Sequence, residues 1–226
     1  MHLPKLQSVD AFERVVKDMV PFDGTYNKLY RGQPEPWPLL PSLFRNNSPP
    51  FVRKVERELL NRFKHEVPSF MRSRPTNDWD WLSFGQHFRL RTRLLDWSQN
   101  SLIGLYFAVQ GEPKAPIVYV YHVMKSQIVS AHEKSARSPF DISQVRVLQP
   151  SLHSPRVELQ RGWHTVDKIR HGTKTGKEMF VPLERMEWHN NRIKSIDIDP
   201  ARAKAIKGEL AKKKASTYLA DLTQIV

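Results

Sequence analysis

Three short polar segments, far apart in the chain, carry the residue types that act on anions. The first, Tyr30-Arg31-Gly32-Gln33, sets an arginine between an aromatic ring and a glycine. A guanidinium makes two parallel hydrogen bonds to a phosphate or carboxylate, and a neighbouring glycine would let such a ligand approach the backbone. A surface arginine ahead of a turn has the same local sequence. The second segment runs from Gln86-His87 to Thr92-Arg93-Leu94-Leu95-Asp96-Trp97. Arg93 and Asp96 have the i, i+3 spacing of a helical ion pair, with Trp97 packed beneath. Gln86 and His87 each offer a donor and an acceptor, which suits a ribose or amide ligand and equally suits a structural role. The third is Pro155-Arg156-Val157-Glu158-Leu159-Gln160-Arg161-Gly162-Trp163. On a strand, Arg156, Glu158 and Gln160 share one face, which makes Glu158 the best carboxylate for catalysis, although a solvated edge strand fits the same alternation.

Several familiar chemistries have no motif here. There is no His-Glu-x-x-His, no phosphate-binding Gly-x-x-x-x-Gly-Lys loop, no Gly-x-Gly-x-x-Gly fingerprint and no Gly-x-Ser-x-Gly elbow. The chain has no cysteine, which removes disulfides, thiolate nucleophiles and Cys-ligated zinc, and its nine histidines lack metal-ligand spacing, so no metal is expected. Trp79-Asp80-Trp81 and Trp188-His189 interleave rings with polar groups; such rings stack bases in some proteins and are more commonly buried.

These segments must be positioned by a core that 226 residues, 39% of them apolar, are able to form as one domain over residues 1–226. Ser8 is a plausible cap for a helix with Val9, Phe12, Val15, Val16 and Met19 on one side, ended by Pro21 and Gly24. Leu29-Tyr30-Arg31 reads as a short strand leading into a proline-rich loop at 34–41. Residues 51–70 read as an amphipathic helix that turns Arg53, Lys54, Glu56, Arg57 and Glu58 outward. Helices follow at 79–87 and 101–109, with 92–97 between them as a turn or connector. The β-branched and aromatic run at 117–123 reads as a strand buried on both faces. Further strands are expected at 144–148, 155–160, 180–183 and 193–198, with loops at 133–141 and 174–177. Asp199 and Pro200 start a last helix with Ala203, Ile206 and Leu210 inward. The expected fold is therefore α+β, with N-terminal helices packed on a mixed, largely antiparallel C-terminal sheet.

In order along the chain, the three segments resemble the FRG domain family, named for its Phe/Tyr-Arg-Gly signature. Tyr30-Arg31-Gly32-Gln33 matches that signature, and Pro41-Ser42-Leu43-Phe44-Arg45 resembles the short sequence after it. Gln86-His87 with Thr92-Arg93-Leu94-Leu95-Asp96-Trp97 is similar to the central block, and Arg156, Gln160 and Gly162 to a later element. Arg89-Leu90-Arg91 stands where the family usually has Gly-Leu-Pro, and His164 where it has phenylalanine. Family members occur near toxin and phage-defence functions. The strand-borne arginine is in turn similar to that of ADP-ribosyltransferases, whose split sheet the fold would then share.

The resemblance implies an NAD-dependent ADP-ribosyltransferase or NAD hydrolase acting as a toxin or defence effector. Arg31, His87, Glu158 and Gln160 would be catalytic, and Tyr30, Arg31, Gly32, Gln33, Gln86, Arg93 and Arg156 would bind NAD. An antitoxin or defence partner would accompany that role. The alternative is a non-catalytic nucleic-acid-binding or protein-interaction module. The net charge of +13 suits nucleic acid or an acidic protein as partner. No 18-residue apolar window occurs and Met1-His2-Leu3-Pro4-Lys5 carries no secretory leader, so no membrane association and a cytoplasmic location are expected.

Overall fold

Ser8 accepts a hydrogen bond from the Ala11 N–H at 3.2 Å, satisfying one of the donors a helix start leaves open, and so begins α1 (Val9–Asp18). The computed structural model describes residues 5–45, 52–67, 74–151, 162–171 and 178–213. The further helices are α2 (Val52–Glu66), α3 (Asp78–His87), α4 (Ser101–Ala108), α5 (Ala131–Ala136), α6 (Glu187–Asn190) and α7 (Ala203–Lys212). The strands are β1 (Thr25–Gln33), β2 (Leu94–Ser98), β3 (Ile117–Met124), β4 (Arg146–Leu148), β5 (Gly162–Val166), β6 (Arg170–His171), β7 (Glu178–Met179) and β8 (Ile193–Asp197). Among the described residues none of the helices is long and apolar enough to cross a membrane.

The fold is α+β. Six strands form one sheet in the order β4-β5-β2-β1-β3-β8, and each ladder within it is antiparallel. β6 and β7 make a separate short hairpin. Side chains alternate across each strand, so Tyr30, Val118, Val120 and Ile196 pack under α1, α4 and α7. Leu29, Leu95, Trp97, Tyr119 and Tyr121 fill a core on the opposite face. On the first face, α2 and α3 cover Leu94, Leu148 and Val166.

The sheet is not built only from the C-terminal part of the chain, because β1 and β2 occupy its middle. Most of the connector expected at 92–97 is strand: once β5 is alongside, Leu94–Ser98 finds a backbone partner at each position. That pairing lies far along the sequence and leaves no local mark. Two segments expected to be irregular or extended instead curl. Residues 133–141 hold the end of α5 and a 3-10 turn at Pro139–Asp141, and the strand expected at 180–183 is replaced by β7 and a 3-10 turn at Leu183–Arg185. The strand expected at 155–160 and the loop at 174–177 lie outside the described residues.

Glu56 points inward rather than to solvent. It and Arg93 form an ion pair that is 0% and 1% exposed, with the Arg93 Nε–H donating to Glu56 Oε2 at 2.6 Å and the Arg93 N–H to Oε1 at 2.8 Å. Burial pushes the Glu56 carboxyl pKa up, opposed by the charge and hydrogen bonds of Arg93. The expected Arg93–Asp96 pair does not form, because residues three apart on a strand face opposite ways.

Candidate active site

β1 and β2 are joined at one residue pair only, Tyr30 with Ser98, whereas β1 runs beside β3 from Thr25 to Gln33. Past that pair the Arg31 side chain reaches across to β2, and its Nη1–H donates to the Asp96 carbonyl at 2.8 Å. The side chain thus takes an acceptor that a continued ladder would have used. The Arg31 Nε–H is buried and has no acceptor among the described residues. Desolvation lowers the Arg31 pKa to about 10, the nearby Asp96 opposing and Arg45 adding to the shift, so the group stays cationic at neutral pH.

Asp96 is the centre of the cluster. His164 stands directly opposite it on β5, and its Nδ1 lies 3.0 Å from the carboxylate. On its other side the ring contacts the Ser83 hydroxyl, with Nε2 to Oγ at 2.9 Å. Nδ1 thus faces the carboxylate and Nε2 the hydroxyl, so the ring ties the two side chains together. The Gln86 amide N–H₂ also donates to Asp96, while its carbonyl accepts from the Thr92 hydroxyl.

This chain of contacts has the order of a hydrolytic triad but its ends are reversed. Ser83 is buried and the Asp96 side chain is 63% exposed, so the serine is an anchor and the carboxylate is the end open to solvent. Enclosing protein alone would raise the Asp96 pKa. The hydrogen bond and charge of His164, with the fields of Arg31 and His87, outweigh that and hold it at about 2.

α3 delivers Gln86 and His87 because it stops there. The Asn77 side chain caps its start by accepting from the Asp80 N–H at 3.0 Å. At its end the Leu90 N–H bonds to the Gly85 carbonyl and the Arg89 N–H to the Gln86 carbonyl, each at 3.0 Å, and Arg89 has φ +64°. This is the paired-bond, left-handed helix stop that glycine usually occupies. Arg89 takes this left-handed backbone although it is not glycine.

Of the expected site residues, Arg31, Gln86 and His87 come together. Tyr30 does not: strand alternation puts its ring in the core under α4. Gly32 serves helix packing rather than ligand approach, since a Cβ there would sit 1.8 Å from the Gly104 carbonyl oxygen of α4. Gln33 is buried and donates to the Trp37 carbonyl at 2.8 Å, pinning the proline-rich loop. Arg93 is sealed against Glu56 and meets no ligand. Arg156, Glu158 and Gln160 lie outside the described residues. Spacing alone missed the role of Asp96 and the contribution of His164. Their pairing is a cross-strand register, for which the only sequence trace is a histidine where the family has phenylalanine.

The central strands of this α+β domain part around an arginine, and an ionised, solvent-facing carboxylate stands beside it. The model of one sequence family, the FRG domain, matches residues 26–116 of the chain. The matched span holds β1, α3, β2 and α4, and with them Arg31, Gln86, His87 and Asp96, while His164 comes from beyond it. No curated protein and no solved structure matches the chain.

Proposed function

We propose that the cleft binds NAD and cleaves its glycosidic bond, making the protein an NAD hydrolase or ADP-ribosyltransferase that serves as a toxin or phage-defence effector. The observation that carries this is the convergence of a solvent-facing carboxylate, held ionised, with the Arg31 guanidinium. The substrate presents the matching charges, a diphosphate and a ribose that becomes cationic as the bond breaks.

Arg31, with Arg45 close enough to perturb it, suits the diphosphate. Gln86 and His87 offer donors and acceptors to a ribose. As the C1′–N1 bond breaks, its electron pair leaves on neutral nicotinamide and positive charge develops on the ribose, which the fixed negative charge of Asp96 stabilises. Water then gives ADP-ribose and a proton, whereas a nucleophilic acceptor would take the ADP-ribosyl group instead. Asp96 thereby fills the role that the resemblance gave to Glu158.

Nicotinamide release from NAD tests this, measured alone and with protein or nucleic acid acceptors. Asp96→Asn is expected to lower kcat by about 10²–10³, the usual effect of removing one charge-stabilising group, and Arg31→Ala to raise KM. No release under any of these conditions, or undiminished release by Asp96→Asn, overturns the proposal.

A further inference from the structure

A second surface lies on elements that contribute nothing to the Arg31–Asp96 cluster. The α6 residue Trp188 is 51% exposed and forms a ridge between two hollows. One, of about 560 Å³, is lined by Lys168, Arg170, Arg185 and His189. The other, of about 520 Å³, is lined by Phe22 and Arg192. Glu187 is the one acidic side chain lining either of them.

Arg170 pairs with Asp167 at 3.2 Å, but the other cations here have no carboxylate partner among the described residues. Lys168 and Arg185 make no ion pair among the described residues. Arg192 stacks on Trp188, its guanidinium carbon 5.5 Å from the ring centroid, and its Nη1 is buried with no acceptor among the described residues. Lys194 lies over the Phe22 ring at 5.1 Å. Two buried histidines register the excess positive field. Burial first, then Arg170 and Arg192, push His189 down to about 4, and burial with Lys28, Lys194 and Arg192 does the same to His122.

A solvent-facing indole flanked by guanidinium and ammonium groups is the arrangement that takes an unpaired base on the ring and the adjoining phosphates on the cations. A duplex keeps its base faces inside its own stack and has no use for the ring. An acidic protein would use the cations without it. We propose that the Trp188 ridge binds single-stranded nucleic acid, with a base stacked on Trp188 and phosphates held by Arg192, Arg185 and Lys168.

The test is fluorescence anisotropy of a labelled 12-nucleotide oligouridylate and a duplex of equal length, titrated with the full chain in the absence of NAD. The absence of NAD keeps the outcome separate from the cleft's activity. The single strand is expected to bind more tightly than the duplex. Trp188→Ala should weaken it by about fivefold or more, given about 1–3 kcal/mol per stacked base, while leaving duplex binding unchanged. Trp188→Phe should fall between, which guards against a misfolded alanine variant. Arg192→Gln should flatten the log–log salt dependence by about 0.7, one phosphate contact on a single strand. Equal binding of both nucleic acids, an unaffected Trp188→Ala protein, or competition by polyglutamate as effective as by oligouridylate would each overturn the proposal.

Discussion

Asp96 owes its charge to its neighbours, and His164 first among them. The imidazole N–H and the Asp96 carboxylate lie 3.0 Å apart, and the resulting pKa of about 2 means that Asp96 is ionised throughout the range in which the protein can be assayed. No acid limb from Asp96 is then expected in a pH–rate profile. Replacing His164 with phenylalanine, the residue usual in the family, removes the largest favourable influence and leaves desolvation working against the charge. In His164→Phe the pKa should rise toward the ordinary carboxylate value of about 4, with Arg31 and His87 still opposing the rise. Activity, read as kcat/KM for nicotinamide release, should fall as pH drops through that region, whereas the wild-type profile stays flat there. Identical profiles for the two proteins would show that His164 does not position or charge Asp96.

At the scale of elements, glycine and its absence set two close fits. Helix α4 lies directly on β1 because Gly32 and Gly104 face each other, and a Cβ on Gly104 would approach the Tyr30 Cβ to 2.9 Å. The turn after α3 carries the opposite case, an arginine at φ +64° where glycine would be unstrained. Arg89→Gly should raise stability by up to about 1 kcal/mol, the left-handed strain relieved less the extra freedom of the unfolded chain. Gly32→Ala should lower it by about 3 kcal/mol or more, because the obstacle is backbone. Urea midpoints at unchanged m-value read both effects. A less stable Arg89→Gly protein would mean that the arginine side chain contributes more than its backbone strain costs.

For the whole molecule, buried ionisable groups predict how stability follows pH. His122 and His189 are held neutral, with pKa values of about 4 against about 6.5 in an unfolded chain. Between those values the unfolded state takes up protons that the native state refuses, so stability falls as pH is lowered through the window. Asp167 acts in the opposite sense. Burial, only partly offset by Arg170, raises its pKa to about 6, so the native state holds a proton there that the unfolded state has lost, and acidification favours folding. The buried Glu56 carboxyl, also raised, acts with Asp167, so two imidazoles oppose two carboxyls and the imidazole share is read by removing one of them. Neither ring nitrogen of His122 has a partner among the described residues. His122→Leu should therefore add about 1 kcal/mol at neutral pH and flatten the pH dependence. A His122→Leu midpoint that follows pH between about 6.5 and 4.5 as the wild type's does would contradict this account.

Local patterns in the sequence determined a good deal. The caps Ser8 and Asp199, the inward faces of α1 and α7, and the doubly buried β3 are each readable from neighbours a few residues away, because helix and strand periodicity is short-ranged. The motif residues Arg31, Gln86 and His87 were legible for the same reason, as was the family that the match over residues 26–116 supports. Other decisions depended on what lay across from a residue. β2 exists because β5 pairs with it, Glu56 turns inward because Arg93 waits there, and Gly32 is small because α4 presses on it. Asp96 gained its imidazole partner only when a strand distant in sequence placed His164 opposite it. Periodicity reports which face of an element is apolar, but a partner's register is a property of two segments at once, and only the folded chain brings them together.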